Sequence, residues 1–254
     1  TLKHQQAITW TPEDCHTDDL EMAGFGCSDT VKYGTAEDGT LVLIHHPVFP
    51  TLRVRPNNTH ASWQMDMPEG IALYCDGEKL REKPTKFRID GVLHITSRAG
   101  DLQIHRTCYP AATARASFEE IRITNDGTQS VSITTDTPQS RIVGETMGPM
   151  GVNVAEITHD FRSTSLAPGN VIRIVTQFSG RLANESTPCL HADAELEKRR
   201  DRIRALTTPM AIDTGEAVLD ALFTFSKLRA GESVFDTRYG KLHSPGGYSY
   251  YAAT

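Results

Sequence analysis

The chain has 254 residues and a mass of 28.0 kDa, enough for one large domain with an appendage or for two smaller units. It carries 26 Lys and Arg against 32 Asp and Glu, with no basic run beyond Lys198, Arg199 and Arg200, so nucleic acid is not an expected partner. No stretch approaches the ~20 apolar residues of a membrane span, and the first residues lack the basic, apolar, small-residue order of a leader. Any leader of an exported protein would already be absent here.

Residues 1–38 are polar and rich in turn formers, and give no clear assignment. From about Thr40 to Phe178 short segments alternate with a period of two between turn residues, the pattern of antiparallel strands with one buried face. Leu41 and Leu43, Ile71 and Leu73, Val92 to Ile95, Leu102 and Ile104, Val131 and Ile133, and Ile172 to Phe178 carry this pattern. Asp38-Gly39, Asp76-Gly77, Asp90-Gly91, Ala99-Gly100, Asn125-Asp126-Gly127 and Pro168-Gly169 separate them as tight turns. Such spacing predicts a sandwich or barrel.

The character changes after Pro188. Ala192 to Leu206 reads as a helix, with Asp193 as its cap and Leu196, Ile203 and Leu206 near one face. A second helix is predicted from Thr214 as N-cap through Val218, Leu219, Leu222, Phe223, Phe225 and Leu228 to a stop near Gly231. Its apolar residues cover more than one stripe, which predicts packing on two sides. One sheet face and two helices barely supply that, so an incomplete helical layer is expected. The last residues, Thr237 to Thr254, combine glycines with Tyr248, Tyr250 and Tyr251, and read as a chain cut within a domain.

Cys15, Cys27, Cys75, Cys108 and Cys189 never form a C-x-x-C pair, so neither a zinc knuckle nor a redox dithiol is indicated. They read as free, buried thiols, with a Cys15–Cys27 bridge as the alternative.

Three features together resemble the six-hairpin glycosidase superfamily. They are the strand series Asp90 to Ser97, Leu102 to Pro110 and Glu120 to Gly127; the helix Glu195 to Leu206; and the helix Glu216 to Ala230 running into Gly240-Lys-Leu-His-Ser-Pro-Gly-Gly-Tyr-Ser-Tyr-Tyr. The resemblance implies a mainly β chain: a two-sheet antiparallel supersandwich of the galactose mutarotase-like kind over residues 1–188, a linker helix over 189–212, and the start of an (α/α)6 barrel over 213–254. It implies a parent glycoside hydrolase acting on oligo- or polysaccharide, with the sandwich as a non-catalytic support. The catalytic carboxylates would then lie beyond Thr254. Arg238, His243, Ser244, Gly246, Gly247, Tyr250 and Tyr251 become candidate sugar-binding residues. The partners implied are a carbohydrate and the rest of the barrel, on the same or a separate polypeptide, with no cofactor and no metal. A secreted or periplasmic location is expected.

Local chemistry is consistent with that division. Glycoside hydrolysis needs two carboxyl groups about 5 to 9.5 Å apart. Glu119 and Glu120 are adjacent in a strand and point to opposite faces, and Asp18 and Asp19 sit in a polar segment. Glu232 and Asp236 remain as candidates, set against the simpler reading of a helix end and a turn. His45-His46 and His16 with Asp18 offer metal-ligand chemistry, but neighbouring strand residues diverge. Ser244 beside His243 lacks a G-x-S-x-G elbow. Trp10 and Trp63 offer sugar-stacking faces or plain packing, and Asn57-Asn-Thr and Asn184-Glu-Ser match the glycosylation pattern. Two rival readings stay open: a stand-alone carbohydrate-binding module, and a structural or partner-docking β domain.

Overall fold

A computed structural model describes residues 7–56, 62–67, 70–237 and 240–243. Numbered in chain order, the largest sheet has eight strands in the order β1 (Ile8–Trp10), β8 (Lys83–Ile89), β9 (Leu93–Ala99), β10 (Leu102–Pro110), β11 (Ala116–Asn125), β16 (Val171–Leu182), β14 (Gly151–His159) and β13 (Ser140–Gly148). All its pairings are antiparallel. Two four-stranded sheets cover its inner face: β2 (His16–Ala23), β3 (Ser28–Thr35), β4 (Leu41–Arg53) and β5 (Ser62–Gln64) in one, and β15 (Thr164–Leu166), β12 (Val131–Thr134), β6 (Tyr74–Cys75) and β7 (Glu78–Lys79) in the other. The architecture is the expected antiparallel sandwich, and its second layer is split in two.

The split follows from what the large sheet presents inward. At one end Ile104, Ile121, Ile123 and Ile174 pack against Ile133 and Leu166 of the smaller sheet beyond the split. At the other, Phe87, Leu93, Ile95 and Cys108 meet Met22, Val31 and Tyr33 of β2 and β3, while Ala155, Ile157 and Phe178 meet Phe49, Leu52 and Trp63 of β4 and β5. Between these apolar regions the same face carries Ser97, Arg106 and Glu119, all of them buried or nearly so. A continuous apolar second layer cannot lie over such groups.

Turn chemistry matches the residues that were read as turns. Asp76 and Gly77 both adopt positive φ, 49° and 88°, as a two-residue hairpin between β6 and β7 demands. Three readings change. Ile71 and Leu73 belong to the core without belonging to a strand. The polar segment over residues 1–38 contains β1, β2 and β3. Strands β13 and β14, whose alternation is weak, form a long edge hairpin.

Two helices follow, α1 (Ala192–Thr207) and α2 (Ala217–Glu232). Their starts are not capped as predicted. His191 and Glu216 occupy the cap positions without side-chain cap bonds. Asp193 instead pairs with Arg173 of β16 at 2.7 Å, and Thr214 is bound to Asp220 at 2.9 Å. Helix α1 lies on the outer face of the large sheet, where Val92, Tyr109, Phe118 and Ala192 share a core with Leu196 and Ile203. That second covering explains why every residue of β11 from Ala116 to Ile121 is buried.

One buried arginine ties helices to sandwich. Arg199, with no exposed surface, donates from Nε and Nη2 to the Gly91 carbonyl at 3.0 and 2.7 Å and from Nη1 to the Ala23 carbonyl at 2.8 Å. Its Nη2 also pairs with Glu232 at the end of α2. Gly91 has a φ of 89°, and a Cβ there would come within 2.6 Å of Ile203 Cδ1, so the close approach of helix to turn requires glycine. Removing one partner of a buried ion pair strands the other. Arg199→Met is expected to lower unfolding free energy by about 3–5 kcal/mol in urea titrations followed by circular dichroism; a loss below about 1 kcal/mol would refute the clamp.

Candidate functional site

Of the sugar-binding candidates, Arg238, Ser244, Gly246, Gly247, Tyr250 and Tyr251 lie outside the described residues, as does Tyr248. His243 is exposed at the end of β18 (Gly240–His243), opposite Val234 of β17 (Val234–Thr237). This hairpin is fastened to the sandwich through Phe25: Asp236 N donates to the Phe25 carbonyl at 3.0 Å, and Lys241 Nζ and the Arg202 guanidinium lie 3.4 and 3.7 Å from the ring centroid. Glu232 is engaged by Arg199 and, at 2.8 Å, by Arg229, which assigns it a structural task. Trp10 stacks on Phe87 at 5.5 Å and Trp63 is buried against Phe49, so both serve packing. All five cysteines are free, Cys27 and Cys108 buried, Cys15 and Cys189 exposed.

The histidines diverge as a strand requires. His46 turns to Asp66 at 2.6 Å, and His16 contacts Asp18 at 3.1 Å on the surface. His45 points into the sandwich, where it enters a chain of buried charges. Its Nδ1 lies 2.7 Å from Asp29 Oδ2, and that oxygen also accepts from Ser117 Oγ at 2.5 Å. Its ring stacks on Phe178, 4.2 Å between centroids. Across 4.0 Å its Nε2 faces Glu119 Oε2, and the Cys108 side chain is a further hydrogen-bonding neighbour of the ring. Glu119 Oε1 accepts from Arg106 Nη1. On its other side Arg106 grips Glu82 through Nη2 and through Nε, the latter at 3.0 Å, and Ser97 Oγ donates to Glu82 at 2.8 Å.

This chain borders a cavity of about 370 Å³, at the split between the two small sheets. Its floor is Arg106 and Glu119 of the large sheet; its walls are Leu41, Leu43 and His45 of β4, the segment 70–73, and residues 79–82. Thr40 and Asp38 stand at the rim, bound to each other.

The charges set one another's protonation. Burial pushes the His45 pKa down, but the carboxylate of Asp29 outweighs it, and the ring titrates well above the ordinary histidine value. Burial likewise raises Glu82, and the Arg106 guanidinium more than offsets it, holding the carboxyl below its usual range. Burial raises the Cys108 thiol beside His45. Asp29 thus favours the charged form of His45, and Arg106 the charged form of Glu82.

Sequence reasoning considered His45 and Glu119 and passed over Asp29, Glu82 and Arg106. A signal existed. Arg106 is in phase with the inward Leu102, Ile104 and Cys108, and Glu119 with Ile121 and Ile123; charged residues at core positions are rarely fully buried unless paired.

A group whose folded pKa is raised stabilises the fold below its unfolded pKa, and that contribution disappears as pH climbs through the folded value. For His45, facing Asp29, Glu119 and Cys108, stabilisation is complete below about pH 6.5 and declines above it. Urea titrations across the neutral and alkaline range should give a falling stability for the native chain and a flatter profile for His45→Gln. Equal slopes would remove the imidazolium from the network.

No family model matches this chain, and no curated protein sequence does. Among solved structures it is similar to one named "Putative kojibiose phosphorylase from human microbiome", with a TM-score of 0.55 and 7% identity over 91% of this chain. The match spans 42% of that protein's length, and at such identity the likeness is one of fold. What the two chains share is an antiparallel sandwich followed by helices.

Proposed function

We propose that this chain is the supporting β region of a carbohydrate-active enzyme of the glycosidase or glycoside phosphorylase class. Residues 1–188 form the sandwich, 189–212 the linker helix, and 213–254 the first part of a helical catalytic layer. The observation that carries the reading is the outer side of α2. Val218, Leu219 and Leu222 are 79%, 50% and 61% exposed, while Ala221, Leu228 and Glu232 on the same helix are buried against the sandwich side. A helix apolar on both sides is built for a second neighbour, and a further helix of the same layer is the neighbour that the architecture supplies. Sugar is the partner class suggested by the fold relationship, and an exported location belongs to the same proposal.

The cavity chemistry points the same way. Its lining carboxylates are Asp38, Glu82 and Glu119. A general acid for glycosidic cleavage needs a raised pKa, whereas Glu82 is held low by Arg106 and Glu119 is ion-paired to the same guanidinium. A carboxylate held low in this way, as Glu82 is, donates a proton poorly.

Incubated with α- and β-linked disaccharides, with and without phosphate, the chain should release no monosaccharide or sugar phosphate. It should self-associate in light scattering, and Val218→Glu with Leu222→Glu should suppress that association. Turnover by the chain alone would overturn the supporting role, and a monodisperse native chain would overturn the open helical face.

A further inference from the structure

We infer that the groove between α1, α2 and the turn joining β8 to β9 receives an amphipathic helix, apolar along one stripe and acidic beside it where it meets the arginines of the groove. The inference rests on the supporting role, since the open side of α2 defines it, and adds the chemistry of the partner.

Continuity comes first. Val218, Leu222 and Phe225 stand at i, i+4 and i+7 of α2, one stripe of a helix surface. Val218 and Leu222 are exposed on the outer side, whereas Phe225 lines a cavity of about 250 Å³ together with Val92, Ile203 and Leu228. The apolar stripe therefore runs from the open side of α2 into a groove whose floor, Val92 and Leu228, is buried. Size comes second. Small-molecule sites occupy about 300–1,000 Å³, and this space falls below them. It has room for an anchoring side chain, while the exposed stripe beside it offers contact to the rest of a helix whose anchors recur at i, i+4 and i+7.

Charge decides what kind of helix. The chain as a whole has a net charge of -6, yet the groove is lined by Arg88, Arg200 and Arg204 against one carboxylate, Asp90. Asp90 answers Arg88 at 2.7 Å and His94 at 3.1 Å. Arg200 and Arg204 lie one turn apart on α1 and pair with Glu197, at 2.7 Å, and with Asp201, acids of the same helix that stand outside the lining. Exposed pairs of this kind contribute little, and each contact uses one nitrogen of a guanidinium that carries five N–H donors. Two arginines on the wall of an apolar groove thus retain donors for the carboxylates of an incoming segment. On the other wall Lys227 is turned to the carbonyls of Thr207 and Met210. At the far end of α2, Asp213 and Glu216 are exposed, so the acids of the partner belong at the groove end and not along its whole length.

The test is fluorescence anisotropy with three labelled helical peptides titrated with the full chain. They share a leucine stripe on a glutamine background and carry Glu, Gln or Lys beside that stripe in the first turns. Saturable binding is expected in the order Glu, Gln, Lys, with the Glu peptide about tenfold tighter than the Lys peptide, the equivalent of ~1.4 kcal/mol, and with the difference shrinking at high salt. Because Glu in the first turn also favours the helix itself, Arg200→Gln combined with Arg204→Gln is the control. Both side chains are exposed, so circular dichroism should stay native while the preference for Glu is lost. Leu222→Gln should weaken all three peptides alike. Four results would each overturn the inference: no saturable binding, as when a second copy of the chain fills the groove instead; equal binding of the Glu and Lys peptides; a preference that survives in the folded double variant; or undiminished binding in Leu222→Gln. The two readings fail separately. Turnover by the chain alone sinks the supporting role and leaves the charge preference measurable; a missing charge preference sinks this inference and leaves the open apolar side of α2 in place.

Discussion

The interior of this sandwich is organised around an alternating series of buried charges, Asp29, His45, Glu119, Arg106 and Glu82. Desolvating an isolated ion costs several kcal/mol, so no member of the series is tolerable alone. Each carboxylate is placed against a cation and each cation between two carboxylates. The arrangement also spans layers: Asp29 and His45 come from β3 and β4, Arg106 and Glu119 from β10 and β11, and Glu82 from the segment leading into β8. Register between the large sheet and one small sheet is thereby fixed by charge as well as by packing. A slip of one residue in β11 would turn Glu119 outward and Glu120 inward, breaking the pairs Glu119–Arg106 and Glu120–Arg173 together.

The same series accounts for the split second layer. Apolar side chains gain by covering apolar side chains, at roughly 25 cal/mol per Å², and the two small sheets settle over the apolar regions of the large sheet. Over the ionic seam neither gains, and space remains between them. The cavity is thus a consequence of where the charges were placed, with His45 standing between carboxylates at unequal distances, 2.7 Å on one side and 4.0 Å on the other.

The fold was largely legible because its central strands obey a period of two. Leu102 and Ile104, and Ile172 to Phe178, announce themselves, and so do the Asp-Gly turns between strands. What escaped did so for identifiable reasons. Strands β2 and β3 alternate between a buried side and a polar one that includes Asp18, Asp19 and Lys32, and their polar composition resembles a loop. Residues of β11 are covered on both faces, so alternation vanishes where packing is densest. Helix caps were misjudged because Asp193 and Thr214, good capping residues by type, are drawn to Arg173 and Asp220. For the site, type alone misled: an inward arginine and an inward glutamate look like surface residues until their phase is compared with the isoleucines beside them.

The helical end obeys a related logic on the opposite face. Arg199 reaches from α1 through to two backbone carbonyls at the edge of the sandwich and to Glu232 at the end of α2, and Arg229 extends the contact to Glu21 of β2 at 2.7 Å. A guanidinium suits this place because its planar fork satisfies several acceptors at once, which an ammonium on a flexible stem does not. Carbonyls at a turn and at a strand end offer lone pairs that no neighbouring strand can use, so these are the points where an arginine can be fully buried without loss. The two helices are consequently held at a fixed orientation by polar contacts, while the apolar outer side of α2 stays uncommitted. The further helical layer proposed above would meet a platform whose orientation is already set by these polar contacts.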